Sequence, residues 1–477
     1  MTYQVPEHIN KDKIFIVKKS EINGRFDPKM ALYNQGVQHS LYPLVKLKSL
    51  LLSKPQYGAN EAGLVREHFE QPRYIRITDI DENGLISTDE LGATVLNVEE
   101  RYILNENDIV IARSGATVGK AYIHKHLPYI CIYAGYLIRF IVDSEKILPD
   151  YLFVFTQLNP YKEWVNAIQR PSAQPNINAE EYQSLEIPLP NLSKQQEIIE
   201  YINEAYAQKQ VKESEAQQLL DSIDAYLLNE LGIAIPEIKT ELTDRVFYVN
   251  YSELSNRLDP YYSLNYFKES FEAIYSGKYP VVQLKSLATL ITSGITPKSG
   301  GDAYVDDQLN GIPFIRSGNI NIDGELNFED LLYIKADIHN TIMRSSQVKK
   351  NDLMIAIVGA TIGQVGIYLN KNEANINQAI ALVRLKDSIC VQYIKELIKS
   401  RIGQLSLNRL KRPVARANIN LEEIATIQIV LPPYEIQLKI ANQIYNIRQN
   451  AKALRTEGKA ILENAKKKVE QMIYNSY

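Results

Sequence analysis

Two stretches of the chain, residues 191–231 and 433–477, place apolar residues in alternating steps of three and four positions. This spacing keeps one face of an α-helix apolar over many turns, as in the seam of a coiled coil. It therefore predicts two long helices, interrupted by Lys209 and Lys212 in the first and by Gly458 in the second. The predicted seam positions are Ile198, Ile202, Ala205, Ala216, Leu219, Ile223 and Tyr226, and then Ile440, Ile444, Ile447, Ala451, Leu454, Ile461 and Ala465.

The segments that precede the long helices have a different pattern. Short runs of β-branched residues, bounded by Gly, Asn and Asp, predict strands joined by tight turns. A shorter helical stretch follows at 151–169 and again at 393–410, and each segment closes with an apolar strand that ends in Leu-Pro. The predicted strands lie at 74–80, 108–114 and 136–142, and at 314–320, 352–358 and 379–385.

The two halves of the chain are copies of one unit. Residues 14–28 align with 246–260 at an offset of 232, with seven of fifteen positions identical. Residues 107–120 align with 351–364 at an offset of 244, and eight of fourteen positions are identical. A third island, 170–190 against 412–432, has an offset of 242. Because the islands keep their order at a nearly constant offset, the chain is a tandem duplication.

The duplication predicts an α+β fold with two tandem mixed α/β domains, each followed by a long helix. The first long helix carries three basic and eight acidic residues over 191–230, whereas the second carries eight basic and four acidic residues over 433–477. Opposite charge favours an antiparallel coiled coil with a pseudo-two-fold axis over two separate amphipathic helices. The predicted segments are domain 1 (1–190), the first long helix (191–231), a linker (232–245), domain 2 (246–432) and the second long helix (433–477).

Composition narrows the class of protein. A chain of 477 residues with 45% hydrophobic and 23% charged residues is typical of a folded protein with more than one domain. The chain lacks a run of roughly 20 apolar residues and an N-terminal signal peptide, so we expect a cytoplasmic protein that does not enter a membrane. Two cysteines, Cys131 and Cys390, and six scattered histidines predict neither a disulfide framework nor a metal site.

Candidate catalytic motifs fail at essential positions. The Gly-Ala-Thr-Val-Gly-Lys sequence at 115–120 is like a phosphate-binding loop, but it has three residues between its glycines instead of four, and Ala121 replaces the required Ser or Thr. The Leu-Pro-Pro-Tyr sequence at 431–434 is like the Asn-Pro-Pro-Tyr motif of adenine methyltransferases, but Leu431 cannot accept hydrogen bonds from an amino group. We therefore expect a protein that is not an enzyme and that binds no cofactor itself.

Nucleic-acid binding has better support. Seven basic residues and one acidic residue lie between Lys395 and Arg416, which suits a track along DNA phosphates. The segments 170–174 and 412–416 place Arg-Pro beside the guanidinium and amide donors that read guanine and adenine edges. The polar, Gly-bearing segments 53–72 and 292–311 differ between the copies, as expected of recognition loops on one scaffold. The candidate DNA-binding residues are Lys54, Tyr57, Arg76, Arg113, Lys120, Arg170, Gln174, Lys298, Arg316, Asn319, Lys411, Arg412 and Arg416.

Taken together, the repeated islands resemble the specificity subunit of type I restriction–modification enzymes. The resemblance is carried by the Gly-Ala-Thr-x-Gly turns at 115–119 and 359–363, by the Asn-Ile-Asn sequences at 176–178 and 418–420, and by Leu-Pro leading into the long helices. It implies two target-recognition domains, each of which reads one half of a split double-stranded DNA sequence. The paired helices would set the gap between the two halves.

The resemblance also implies partner chains. Two modification subunits would methylate adenine with S-adenosylmethionine, and two restriction subunits would use ATP and Mg²⁺ to translocate and cleave DNA. Three alternatives stay open. The partner of a related enzyme can combine methylation and cleavage in one chain. A stand-alone DNA-binding protein would need no partner, and a scaffold would show no salt-dependent DNA binding.

Overall fold

The computed structural model describes residues 16, 28–36, 39–87, 90–169, 175–238, 247–250, 260–298, 301–306, 311–411 and 418–474. The chain forms two compact units. Unit 1 comprises Met1–Glu213 with Arg455–Tyr477, and unit 2 comprises Ser214–Leu454. Each unit therefore combines one mixed domain with part of both long helices, whereas the predicted boundaries treat the helices as separate segments.

The first half of the chain, up to the end of the first long helix, alternates short strands with helices. Its helices are α1 (Pro28–Gly36), α2 (Pro149–Thr156), α3 (Asn159–Ile168), α4 (Ala179–Gln183) and α5 (Leu192–Leu231). Its strands are β1 (Leu44–Lys46), β2 (Gln56–Tyr57), β3 (Leu64–Val65), β4 (Arg73–Ile75), β5 (Ala93–Thr94), β6 (Ile109–Ala112), β7 (Ala121–Ile123), β8 (Cys131–Tyr133), β9 (Leu137–Phe140) and β10 (Glu186–Pro188).

The second half repeats this succession with longer strands. Its helices are α6 (Asn265–Tyr275), α7 (Leu284–Leu287), α8 (Ala336–Asn340), α9 (Val391–Lys399), α10 (Arg401–Leu410), α11 (Leu421–Ala425) and α12 (Tyr434–Ile473). Its strands are β11 (Val281–Gln283), β12 (Ala288–Ser293), β13 (Tyr304–Val305), β14 (Ile312–Ile315), β15 (Leu332–Ile334), β16 (Gln347–Val348), β17 (Leu353–Ala356), β18 (Val365–Ile367), β19 (Ala374–Ile376), β20 (Ile380–Leu385) and β21 (Gln428–Val430).

The central sheet has the same plan in both units. Its strand order is β2-β9-β6-β7 in unit 1 and β12-β20-β17-β18 in unit 2, with antiparallel pairing. Ile109 and Ile111 of β6 face the core formed with α2 and α3, while Val110 faces the core formed with the second sheet. In unit 2, Leu353 and Met354 of β17 face the two equivalent cores. Burial on both faces explains why these strands are continuously apolar.

The second sheet of each unit contains one parallel pair. Its order is β3-β5-β4-β8 in unit 1 and β13-β15-β14-β19-β16 in unit 2, with β4–β8 and β14–β19 parallel. A short antiparallel pair, β1–β10 or β11–β21, joins the start of each domain to the strand before the long helix. The start and the end of each mixed domain are thereby tied together.

Each shorter helical stretch predicted from the sequence consists of two helices. The break between α2 and α3 falls at Leu158, whose extended backbone (φ −85°, ψ 156°) precedes Pro160 in the first turn of α3. Proline suits this position because the first turn of a helix does not use its backbone N–H groups. The break between α9 and α10 falls at Ser400, which is also extended (φ −69°, ψ 169°).

The long helices pair in antiparallel orientation, as predicted. In unit 1, Lys212 of α5 forms an ion pair with Glu457 of α12, with 3.3 Å between Nζ and Oε2. In unit 2, Glu230 near the end of α5 pairs with Lys439 near the start of α12, at 3.0 Å. Both pairs join an acidic to a basic side chain. Only Glu230–Lys439 follows the net charges of the helices, since Lys212 is a basic residue of the acidic helix and Glu457 an acidic residue of the basic one.

The predicted seam is correct at most positions and differs in two places, the second half of α12 and Tyr226 of α5, which is half-buried beside the fully buried Leu227. Leu462 is 2% exposed, whereas the predicted Ile461 is only half-buried, as is Leu454. The steps from Leu454 to Gly458 and from Gly458 to Leu462 are both four, so the seam leaves the strict heptad spacing. The predicted seam residues that are buried include Ile198, Ile202, Ile223, Ile440 and Ile444.

Three predicted absences concern membranes, metals and disulfides. Over the described ranges, no helix is both long and apolar enough to cross a membrane. In the same part of the chain, no group of three or more His, Cys, Asp or Glu side chains is placed to hold a metal ion. Cys131 and Cys390 are both buried and are not joined by a disulfide.

Candidate nucleic-acid interface

In each unit, the glycine turn lies beside the Asn-Ile-Asn segment, although the two motifs are far apart in sequence. Ser114 pairs with Asn176 in an isolated β-bridge of unit 1, and Val358 pairs with Asn418 in unit 2. Backbone hydrogen bonds next to each bridge hold the two segments together. The motifs that carry the family resemblance therefore form one surface in each unit.

The glycine turn requires a left-handed backbone at its start. Gly115 has φ +80° and Gly359 has φ +75°, and no atom lies within 4 Å of where a Cβ would be at either position. Glycine is therefore needed here for its backbone conformation and not because a neighbour is close. Ala116 and Ala360, which follow these glycines, are exposed.

Lys120 ends the turn of unit 1, and its ammonium is engaged within the fold. Its Nζ donates a hydrogen bond to the carbonyl oxygen of Ile80 at 2.8 Å. This arrangement agrees with a tight turn between strands and does not resemble a phosphate-binding loop, in which the lysine must reach the phosphates. A phosphate contact by Lys120 would have to replace this hydrogen bond.

The segment after each Asn-Ile-Asn begins a short helix with the same cap. In unit 1, the Asn178 side chain accepts from the Glu181 N–H at 2.9 Å, and the Glu181 side chain accepts from the Asn178 N–H at 2.9 Å. Asn420 and Glu423 form the same reciprocal pair in unit 2. This capping box explains one Asn and one Glu of the repeated motif by local structure alone.

Arg113 gives the turn of unit 1 a cationic side chain. Its guanidinium carbon lies 5.0 Å from the centroid of the Tyr57 ring. Tyr57 is 39% exposed, and its hydroxyl accepts a hydrogen bond from the Ala179 N–H at 3.2 Å, which fixes the ring against α4. The cation–π contact orients the guanidinium. The Nε of Arg113 has no acceptor among the described residues.

Unit 2 has different chemistry at the equivalent place. Ile357 follows β17 as Arg113 follows β6, but Ile357 is 5% exposed and packs in the hydrophobic core of unit 2. The backbone of the turn is thus common to both units, whereas the side chain beside it is a guanidinium in one unit and a buried alkyl group in the other. The two units therefore present different side-chain chemistry on a common backbone.

The predicted contacts Arg76 and Arg316 are paired with carboxylates. Arg76 Nη2 lies 2.9 Å from Asp79 Oδ1, and the hydrogen bond to Asp79 raises the pKa of Arg76. Arg316 Nη2 lies 3.1 Å from Asp330 Oδ2. Because a guanidinium has five N–H donors, these pairs leave donors that a DNA phosphate could use. Asn319 is 4% exposed, accepts from the Arg316 N–H and donates to the Asp330 carbonyl, so its amide groups belong to the turn.

The remaining candidates fall into three groups. Lys54 and Lys298 are exposed on the segments that differ between the units. Lys411 is half-buried and donates to Asn408 Oδ1 at 2.8 Å, and burial lowers the pKa of its ammonium group. Arg170, Gln174, Arg412 and Arg416 lie outside the described residues.

The described part of the basic run that starts at Lys395 contains the exposed Arg401, but other members of the run are engaged within the unit. Lys395 pairs with the buried Glu396, with 3.0 Å between Nζ and Oε1. The Arg409 guanidinium lies over the rings of Tyr262 and Phe271, at 4.2 Å and 5.3 Å from their centroids. These side chains stabilise unit 2 and are not arranged along an open surface.

Two buried arginines that sequence reasoning missed belong to the recognition segment of unit 1 or follow it directly. Arg66 and Arg73 are 0% and 1% exposed. The Arg66 guanidinium lies 4.1 Å from the centroid of the Tyr129 ring, and Arg66 donates to backbone carbonyl oxygens, including that of Leu91 at 3.1 Å. Their buried charge makes the potential of this region more positive. No periodicity or motif in the sequence marks them.

A cleft of unit 1 lies next to these arginines, and its chemistry does not suit a nucleophilic cysteine. It has a volume of about 360 Å³ and is lined by residues that include His124, Tyr129 and Cys131. Burial lowers the pKa of His124 to about 4 and raises the pKa of Cys131 to about 11. At neutral pH the imidazole is uncharged and the thiol is protonated, whereas a nucleophilic cysteine must be a thiolate.

Comparison with known proteins places this geometry in a family. The family model of the type I restriction modification DNA specificity domain matches residues 71–220 and 277–464. The EcoBI specificity subunit of Escherichia coli is 26% identical over 294 residues, which cover 61% of this chain and 57% of that protein. The MjaVIII specificity subunit of Methanocaldococcus jannaschii is 22% identical over 376 residues, which cover 78% of this chain and 79% of that protein.

The fold also has a relative among solved structures. A chain from a structural study of complex assembly and conformational transition in the type I R-M system superposes with a TM-score of 0.50. The sequence identity is 15%, and the match covers 90% of this chain and 96% of that chain, which shows a similar fold. Because the family model matches most of the chain, once in each half, this protein belongs to the family of type I restriction modification DNA specificity proteins.

Proposed function

We propose that this chain is the DNA-recognition subunit of a type I restriction–modification complex and that each unit reads one half of a bipartite target. The observation that carries the proposal is the difference at the repeated turn. Unit 1 holds Arg113 against Tyr57 beside the turn, whereas unit 2 places Ile357 in its core at the same position. Guanidinium groups read guanine edges and bind phosphates, so this difference changes what each unit recognises.

In this proposal, the chain supplies recognition and its partners supply chemistry. Two modification subunits methylate adenine with S-adenosylmethionine, and two restriction subunits use ATP and Mg²⁺ for translocation and cleavage. The complex acts in the cytoplasm, where it has access to DNA. The protonated Cys131 thiol and the uncharged His124 imidazole support a chain without catalysis of its own.

The test is methylation mapping with defined components. The purified chain alone should neither methylate nor cut DNA, and the chain with its modification subunit and S-adenosylmethionine should methylate adenine in one bipartite sequence. Deletion of the gene should remove that methylation from the host genome. Methyl transfer by the isolated chain, or an unchanged methylation pattern after deletion, would contradict the proposal.

Exchange of residues 292–311 tests whether the two units read independently. This segment has the same length as its counterpart 53–72 but a different sequence. Replacing it, together with the rest of the variable part of unit 2, by that of another family member should change one half of the methylated sequence only. A change in both halves would contradict two separate readers.

A further inference from the structure

Most identities between the two units have a structural reason. Each unit has the capping box at the start of its short helix, described above. Each also has an ion pair between a buried Asp and an Arg on the neighbouring strand of the central sheet, Asp108–Arg139 in unit 1 and Asp352–Arg384 in unit 2. The identical Asn, Glu and Asp residues at such positions are explained by the fold, so they give no information about partners.

Three further pairs of identical residues have no such role. All six side chains are exposed, and within the described part of the chain none makes a side-chain hydrogen bond or an ion pair. They are therefore unnecessary for the packing of either unit. The pairs are Lys48 and Lys285, Asn176 and Asn418, and Glu180 and Glu422.

The elements that carry the lysine and the glutamate contact each other in each unit. The turn Leu47–Leu50 packs against α4 in unit 1, and α7 packs against α11 in unit 2. Backbone hydrogen bonds hold these contacts, since the Leu47 N–H donates to the Leu185 carbonyl at 2.8 Å and the Leu284 N–H donates to the Ile427 carbonyl at 2.9 Å. Each unit therefore presents one Lys and one Glu on contacting elements and one Asn in the segment that leads into the short helix. We call these three residues the shared patch.

The shared patch cannot distinguish two different DNA half-sites, because it is the same in both units. We therefore expect the shared patch to contact a surface that is the same at both units. Its mixed charge argues against the DNA backbone, since phosphates attract the lysine but repel the exposed carboxylate. A protein surface can oppose both charges and the amide with complementary groups.

We propose that the shared patch is a docking site for a partner protein that binds in two identical copies, one on each unit. This inference rests on the proposed function, which identifies that partner as the modification subunit. Identical copies need the same contacts on each unit, and the shared patch supplies them while the recognition segments differ. Lys48 and Glu180 dock one copy, and Lys285 and Glu422 dock the other.

Charge reversal in one unit tests the proposal. The variant Lys48→Glu/Glu180→Lys should leave one of the two docking sites intact, so that the full chain binds one modification subunit tightly and the second at least about tenfold more weakly. Adding Lys285→Glu/Glu422→Lys should weaken both sites. Native mass spectrometry and titration calorimetry with the purified modification subunit measure the number of copies and their affinities.

The chain offers a matched control. Lys46 and Glu186 are exposed, lie opposite each other in the β1–β10 pair, and correspond to the uncharged Gln283 and Gln428 of unit 2. The variant Lys46→Glu/Glu186→Lys reverses the same number of charges in the same domain and keeps the cross-strand pair. It should bind two modification subunits with unchanged affinity.

The outcomes separate this inference from the proposed function. Two tightly bound modification subunits on the four-residue variant would overturn the shared patch as a docking site. The inference would also fail if the four-residue variant bound the modification subunits as tightly as the wild-type chain does but bound DNA more weakly. The shared patch would then contact phosphates. If the wild-type chain binds no modification subunit and directs no methylation, the proposed function itself fails.

Discussion

The side chain of Gln195, which is fully buried in α5, holds the backbone at Leu148, where α2 begins. Its Oε1 accepts a hydrogen bond from the Leu148 N–H at 2.8 Å, and its Nε2 donates to the Pro190 carbonyl at 2.9 Å. In unit 2, Gln437 of α12 does the same, accepting from the Cys390 N–H at 3.0 Å. One amide thus fixes the angle between a long helix and its domain, and the duplication has kept it in both units.

We expect Gln195→Leu to loosen this junction. Burying the Leu148 N–H without an acceptor costs roughly 1–3 kcal/mol. Hydrogen exchange at the Leu148 amide should accelerate, and the stability of unit 1 to denaturant should fall. Gln196→Leu is the control, because Gln196 is exposed and bonds only to Glu200 on the same helix. If the Leu148 amide is equally protected from hydrogen exchange in both variants, the hydrogen bond to Gln195 does not hold the junction.

Arg113→Ala should weaken DNA binding through the first half-site. Loss of a guanidinium that reads a base or phosphate costs roughly 1–3 kcal/mol, which is about tenfold or more in affinity. DNA binding by the assembled complex, measured over a range of salt concentrations, tests this. Arg101→Ala is a matched control, because the Arg101 guanidinium lies 4.6 Å from the Tyr102 ring centroid but away from the turn. An equal loss of DNA affinity in the Arg113→Ala and Arg101→Ala variants would contradict a specific role for Arg113.

Lys399→Gln should stabilise unit 2 at neutral pH. Burial, followed by repulsion from Arg448, lowers the pKa of Lys399 from 10.5 to about 8. The folded unit therefore binds this proton less tightly than the unfolded chain does. The charge on Lys399 lowers the free energy of unfolding, and this destabilisation is at its full size below pH 8. The gain from the substitution should be on the order of 1–3 kcal/mol at pH 7 and should shrink as the pH rises from 8 to about 10.5.

Gln157 occupies the equivalent position in unit 1, so the substitution is compatible with the fold. Denaturant unfolding of the full chain at several pH values, with the exposed Lys350→Gln as control, measures the effect. A gain that does not change with pH would mean that the Lys399 charge is not its cause.

Ala451→Asp should disrupt the pairing of the long helices in unit 2. Ala451 is 2% exposed, and an unpaired carboxylate at such a position costs roughly 3 kcal/mol or more. We expect faster hydrogen exchange along the start of α12 and weaker assembly with the modification subunits, while the bases that are methylated stay the same. Ala453→Asp, on the exposed face of the same helix, should have little effect. A changed target sequence would place Ala451 in recognition instead.

The site was harder to predict than the fold. Sequence reasoning singled out Arg76, Arg316 and Asn319 as base or phosphate contacts. In the structure the Asn319 amide belongs to its own turn, and each arginine shares its guanidinium with a carboxylate. The partner of Arg316 is Asp330, and that of Lys120 is the carbonyl of Ile80, forty residues earlier. Which donors remain available to DNA depends on such contacts, and residue type alone does not reveal them.

The sequence by itself determined the duplication, the strand-rich domains, the two long helices and their antiparallel pairing. These features follow from periodicity and charge, which act along the chain and are visible in it. Only the tertiary structure decided that the glycine turn joins the Asn-Ile-Asn segment, that Leu462 replaces Ile461 in the seam, and that Lys48 adjoins α4. The physical reason is that each of these three features depends on contacts between segments that are distant in sequence. The local pattern allows several helix faces and several partners equally well, and burial in the core decides among them.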